Sequence, residues 1–260
     1  MMRLVRAEWS VVRQRPTAKA MMWVAVALAV IVVGVYGSLK DSSLMLNGKP
    51  IGALLTFSGP DAALKALTVR HFFVIPMFLL TLAGQTLAGE RASHVMREQL
   101  VRSVPRHHLL AAKVLSLWAF ASLTLAAGLA ASLLIATPWL GFSGPWLVLL
   151  GSAALSLLTD LGVLAVGFML SSILRSTAAV VISGMMILGL DWALRAGLTG
   201  LSFLGVEWAQ GVGQLMLGSA LSVWSIPGTD GSYLPGLALV LWITAGLLVA
   251  RLRLSRADIP

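Results

Sequence analysis

Cysteine is absent from the 260 residues, which excludes disulfides, thiolate metal sites and a cysteine nucleophile. Acidic side chains are scarce: 10 Asp and Glu stand against 19 Lys and Arg, and charged residues make up only 11% of the chain. A soluble domain carries about 25%. Missing too is the G-x-x-x-x-G-K-[ST] loop that cradles nucleotide phosphates; Gly48 and Lys49 lack both the upstream glycine and the following hydroxyl. Neither the H-E-x-x-H of metallopeptidases nor the G-x-S-x-G of serine hydrolases occurs. His107 and His108 are adjacent, so on a helix they point to different sides and make a poor metal pair. No metal-ligand set is expected.

What is present is apolar: 58% hydrophobic residues and a mean hydropathy of +0.90. That excludes a soluble or disordered chain and indicates an integral membrane protein. A spanning helix takes about 20 apolar residues, so the chain has room for six spans and no sizeable soluble domain. The apolar runs predict spans from Ala18 to Gly37, His71 to Gly89, Leu109 to Ala136, Trp146 to Leu170, Ala178 to Leu194 and Leu234 to Ala250. The expected fold is all-α, one membrane domain over residues 1–260, with no internal repeat.

The basic residues set the expected orientation. Fourteen of the nineteen fall before span 1, between spans 2 and 3, between 4 and 5, or after span 6. The other side holds Lys40, Lys49, Lys65, Arg70 and Arg195. By the positive-inside rule both termini are cytoplasmic, and a bacterial plasma (inner) membrane location is expected.

Three segments are not spans. Residues 1–17 predict an amphipathic interfacial helix, with Leu4, Val5, Trp9, Val11 and Val12 on one arc and Arg3, Arg6 and Arg13 opposite. Glu8 falls inside the apolar arc; it either snorkels to the headgroups or meets a basic residue of a neighbouring cytoplasmic segment. Residues 38–70 read as an outer loop with a short helix from Asp61 into span 2. Residues 199–232, apolar but interrupted by glycines, read as outer half-helices.

The stretch from Gly89 to Val114 carries the sharpest pattern. Met96, Leu100 and Val104 recur at i, i+4, i+8, while Arg91, Arg97, Glu98 and Arg102 take other faces. Pro105 ends that helix. A solvated loop helix is the bland reading. A docking helix for a cytoplasmic partner is the sharp one, because an apolar ridge between guanidinium groups suits a groove. Asp160 is the one acidic side chain deep in a span, with Ser156 at i−4. Such a carboxylate is a proton site, a substrate contact or half of a structural pair; its isolation from other intramembrane charges favours a packing role.

The pattern resembles the type 2 ABC exporter permease family. The residues that carry the likeness are Glu90-Arg91, then Glu98-Gln99-Leu100-Val101, Pro105-Arg106 and Leu109-Leu110-Ala111-Ala112-Lys113, with the opening Arg6-Ala7-Glu8-Trp9 and Arg13-Gln14-Arg15. Members commonly carry Gly-Thr early in the docking helix, where this chain has Met96-Arg97. The resemblance implies a non-catalytic subunit that works as a pair, with a second copy or a sister permease, above two cytoplasmic ATP-binding subunits. It also implies that ATP and Mg belong to those partners and that this chain holds no cofactor. A coupling helix over residues 91–104 would dock them through Glu90, Arg91, Met96, Arg97, Leu100, Arg102 and Val104. Glu8, Trp9 and Arg13 would sit at the interface. The second and fifth helices would line the substrate path, through Thr81, Gln85 and Thr86 on one and Ser183 and Met186 on the other, with Asp160 a further candidate. A secondary transporter and a membrane-embedded lipid-modifying enzyme are the alternatives; the first wants repeats and several buried charges, the second a polar cluster at one face.

Overall fold

The computed structural model describes residues 1–40, 45–46, 49–50, 58–71, 73–93, 105–216 and 234–256. The docking stretch 94–104, including Met96, Arg97, Leu100, Arg102 and Val104, lies outside the described residues, as does 217–233 of the expected outer segment.

Ten helices are described: α1 (Met2–Gln14), α2 (Pro16–Lys40), α3 (Gly59–Arg70), α4 (Val74–Gly84), α5 (Glu90–Ala92), α6 (Arg106–Leu140), α7 (Trp146–Ile173), α8 (Thr177–Phe203), α9 (Glu207–Gln214) and α10 (Leu234–Arg256). A π-helical turn, Gln85–Gly89, joins α4 to α5. The only extended pairing among the described residues is a two-residue antiparallel bridge of Met45–Leu46 with Lys49–Pro50.

Five helices (α2, α6, α7, α8 and α10) are long and apolar enough to cross a membrane. The stretch expected as a plain second span is instead broken. Helix α3 and the run from Val74 to Ala92 pass the same test only together, and they meet at an angle of 49°. The expected outer loop therefore enters the bundle: Ala62, Ala63, Leu67 and Arg70 of α3 are all buried. Local chemistry explains its start. Ser58 Oγ accepts from the Asp61 backbone N–H at 3.2 Å, and Pro60 occupies the first turn. The cap is thus Ser58, and Asp61, where the helix was expected to start, stands three residues inside.

The broken helix is the centre of the bundle. Helix α3 packs on α2, α6 and α7; α4 packs on α7, α8 and α2. Two glycines permit the close approach to α4. A Cβ on Gly167 of α7 would lie 2.8 Å from Ala83 Cβ, and one on Gly184 of α8 would lie 2.6 Å from Leu80 Cδ1. The outer pairs are α2 with α6 and α7 with α10. Helix α6, at 35 residues, runs on both sides beyond the expected span and continues two residues past Pro138; at 1.5 Å per residue it is about 52 Å long. Helix α8 likewise extends past Leu194 to Phe203, and α9 follows it, so part of the expected outer segment is a continuation of the expected fifth span.

Arg15 turns the chain between α1 and α2. It precedes Pro16, which disfavours helical backbone, and its φ and ψ are −65° and 132°. Helix α1 then lies along α6, with Glu8 and Val12 buried and Trp9 tilted against Phe120 at 5.9 Å between ring centroids. Val11, expected on the buried arc, is exposed.

Candidate functional site

The end of the bundle that carries Met1 also carries most of the described basic residues, and a charge network is built into it. Lys113, in the second turn of α6, has no exposed side-chain surface. Its Nζ donates to Glu8 Oε1 at 3.0 Å and to Glu90 Oε2 at 2.6 Å. The other Glu90 oxygen accepts from Arg15 Nη2 at 3.0 Å. Arg15 Nη1 also donates to Thr86 Oγ1 at 3.2 Å, and Thr17 Oγ1 donates to Gln85 Oε1 at 2.9 Å. Two cations face two carboxylates, so the cluster is neutral as a whole. Removing Lys113 leaves the buried Glu8 without a counter-ion among the described residues. The network joins α1, the α1–α2 corner, the π turn, α5 and α6. Of the two readings of Glu8, the contact with a basic neighbour is the one the geometry shows.

Two arginines reach from the same end into other helices. Arg91 Nη1 donates to the carbonyls of Ser171 and Ser172, at 3.3 and 3.0 Å, where α7 ends. Arg106 Nη1 donates to the carbonyls of Leu254 and Ser255, at 2.9 and 3.2 Å, where α10 ends. The last carbonyls of a helix lack intrahelical donors and carry its negative dipole end, so a guanidinium fits both needs. Residues 94–104 are therefore flanked on one side by Glu90 and Arg91 and on the other by Arg106 and Lys113, and those four residues contact α1, α7 and α10.

A second polar cluster lies inside the bundle, and it corrects the expectation for Asp160. Asp160, midway along α7, is not isolated. Arg70 at the end of α3 grips it with two hydrogen bonds, Nη1 to Oδ1 at 3.2 Å and Nη2 to Oδ2 at 2.8 Å. The side chains of Arg70 and Asp160 are 5% and 0% exposed. His71, expected as the first residue of span 2, is buried beside them, with Nε2 3.0 Å from Arg70 Nη1 and 3.0 Å from Ser156 Oγ. A guanidinium cannot accept, so Nε2 is the acceptor and carries no proton. The His71 Nδ1 lies 3.7 Å from Asp160 Oδ1. Arg70 escaped the sequence reading because it borders an apolar run rather than interrupting one.

The remaining expected site residues are dispersed. Thr81 is half-buried and donates to the Met77 carbonyl of its own helix at 2.7 Å. Thr86 is wholly buried and donates to the Leu82 carbonyl. Gln85 and Thr86 thus face the α1–α2 corner. On α8, Ser183 is half-buried and Met186 is 69% exposed. Arg13 is exposed on α1. Sequence reasoning singled out Lys113 only through a motif and missed Arg15, Arg70 and His71 as partners.

No curated protein matches the chain. A family model described as ABC-2 family transporter protein matches residues 10–217, a stretch that contains the broken helix, both polar clusters except for Glu8, and the Arg91 clamp. Permeases of that family generally partner with ATP-binding subunits. With its long apolar helices around a central broken one and its match over most of the length, the chain is an integral membrane protein that belongs to the ABC-2 transporter family.

Proposed function

We propose that this chain is the transmembrane permease subunit of an ATP-driven exporter, and that residues 91–104 form the coupling helix on which the ATP-binding subunits dock. The basic end is then cytoplasmic, in line with the positive-inside rule. The observation that carries the reading is the grip on the two flanks of that segment. Arg91 is tied to the end of α7, Arg106 to the end of α10, and Glu90 and Lys113 to α1 and Arg15. A push on residues between those anchors is delivered to several helices at once. No catalytic side chain is required of such a subunit; rigid connections and a docking ridge are. Two copies, or one copy and a sister permease, would enclose the path. On α8 only Val180 and Gly184 are buried, which leaves the length of that helix for lipid or a second permease. ATP and Mg would be held by the partners.

The test is co-purification of the ATP-binding subunit with variants of the chain. Leu100→Asp puts a carboxylate on the apolar ridge, and burying a leucine is worth roughly 1.5–3 kcal/mol before the charge penalty is added. It is expected to lose the partner while inserting normally, and Gln99→Asp to retain it. Retention of the partner and of coupled hydrolysis by Leu100→Asp would overturn the docking role.

A further inference from the structure

Helix α3 is an unusual element to find inside a membrane bundle. Its twelve residues, GPDAALKALTVR, include Asp61, Lys65 and Arg70. At about 18 Å it is too short to cross a hydrocarbon core of roughly 30 Å. Its buried face is mostly methyl groups: Ala62 and Ala63 are 0% exposed and Ala66 is 7%. Methyls bring little transfer free energy compared with leucine. Helix association in lipid also rests on packing and interhelical hydrogen bonds rather than on the hydrophobic effect. The packing itself is imperfect here. A cavity of about 10 Å³ remains beside α3, lined by Ala25, Ala63, Ala66, Gly128, Ser132 and Arg70 among others.

Besides a backbone hydrogen bond from the Gly59 N–H to the Gly141 carbonyl at 3.0 Å, one charged contact ties α3 to another helix among the described residues. The bidentate Arg70–Asp160 pair joins the last residue of α3 to the middle of α7, at the point where the chain bends by 49° into α4. His71 and Ser156 complete it. Arg70 is a cation at the carbonyl end of α3, which the helix dipole favours. The cluster holds one positive and one negative charge, and His71 Nε2 is occupied as an acceptor, so it has no free charge to offer an ion.

We infer that the Arg70–Asp160 pair is a latch that keeps α3 inside the bundle, and that α3 is a separately releasable half of the central broken helix. Arg70 and Asp160 are positioning residues: they set the bend of that helix against α7 and touch no transported molecule. When the pair opens, α3 leaves its place between α2 and α6, while α4 stays held against Gly167 and Gly184. The inference rests on the ion pair and the bend and is independent of the coupling role given to residues 91–104.

The absence of cysteine makes the test direct. Ala63→Cys reports on α3, and Ala121→Cys, also 0% exposed, reports on α6. Each full-length chain is reconstituted in lipid nanodiscs and its labelling by a water-soluble maleimide is timed. Both thiols are expected to be protected in the otherwise unchanged protein. Asp160→Ala should raise the labelling rate of Ala63→Cys at least tenfold and leave Ala121→Cys protected. Asp160→Asn, which keeps the shape and one acceptor, should give a smaller rise, and it serves where Asp160→Ala fails to accumulate. Unchanged protection of Ala63→Cys in both Asp160 variants would overturn the latch. So would equal exposure of both thiols, which would make the pair a support of the whole bundle rather than of α3.

Discussion

Lys113 touches two carboxylates, and each carboxylate has a different fallback. Glu90 keeps Arg15 when Lys113 is removed, whereas Glu8 keeps no other ion-pair partner among the described residues. Lys113→Met therefore leaves a buried Glu8 charge and weakens Glu90, and a broken buried pair costs about 3–5 kcal/mol. Glu8→Gln removes one charge but leaves Lys113 paired with Glu90, so its cost should be only about 1 kcal/mol, near that of one hydrogen bond. Thermal unfolding of the two variants in the same detergent checks the order; an equal loss would mean that Lys113 and Glu8 are not the pair that matters. Legibility at this scale was uneven for a physical reason. Glu8 stood out because a charge in an apolar arc violates a local period. Arg70 did not, because its partner Asp160 is 90 residues away and no local pattern encodes that distance.

The central element is shaped by what its neighbours lack. Both Gly167 and Gly184 leave space that a Cβ would fill, yet the obstacles differ. At Gly184 the first atoms met are the δ-methyls of Leu80, which can rotate away. At Gly167 the first is Ala83 Cβ, which is fixed to the backbone. Gly167→Ala is thus expected to overpack and destabilise by about 1–3 kcal/mol. Gly184→Ala should be close to neutral, the clash being offset by the better helix propensity of alanine, about 1 kcal/mol. Matched melting curves decide between this and a uniform effect. Element identity was readable: hydropathy located all five long helices. The ends were not, since α6 and α8 continue through polar residues that an apolar window excludes. The bend between α3 and α4 was also hidden, because it interrupts no apolar run.

At the scale of the molecule, polar work is concentrated at one end and at mid-depth, and the long faces are left apolar. The sequence carries no G-x-x-x-x-G-K-[ST] loop to cradle nucleotide phosphates. The purified chain is therefore expected to hydrolyse no ATP; hydrolysis that tracks with the chain through successive purification steps would refute the division of labour proposed above. The family was legible from the residues around Glu90 and Lys113. The architecture around them was not: a broken helix at the centre depends on contacts among α2, α6, α7 and α8 that are scattered through the chain.

The guanidinium caps of Arg91 and Arg106 bind carbonyls rather than carboxylates. A backbone carbonyl belongs to the main chain and is present whatever side chain the residue carries. The acceptor side of the two fastenings beside residues 94–104 is therefore independent of which side chains stand at Ser171, Ser172, Leu254 and Ser255. The residues at the ends of α7 and α10 could thus be exchanged without loosening the grip, and only a change at Arg91 or Arg106 would release it.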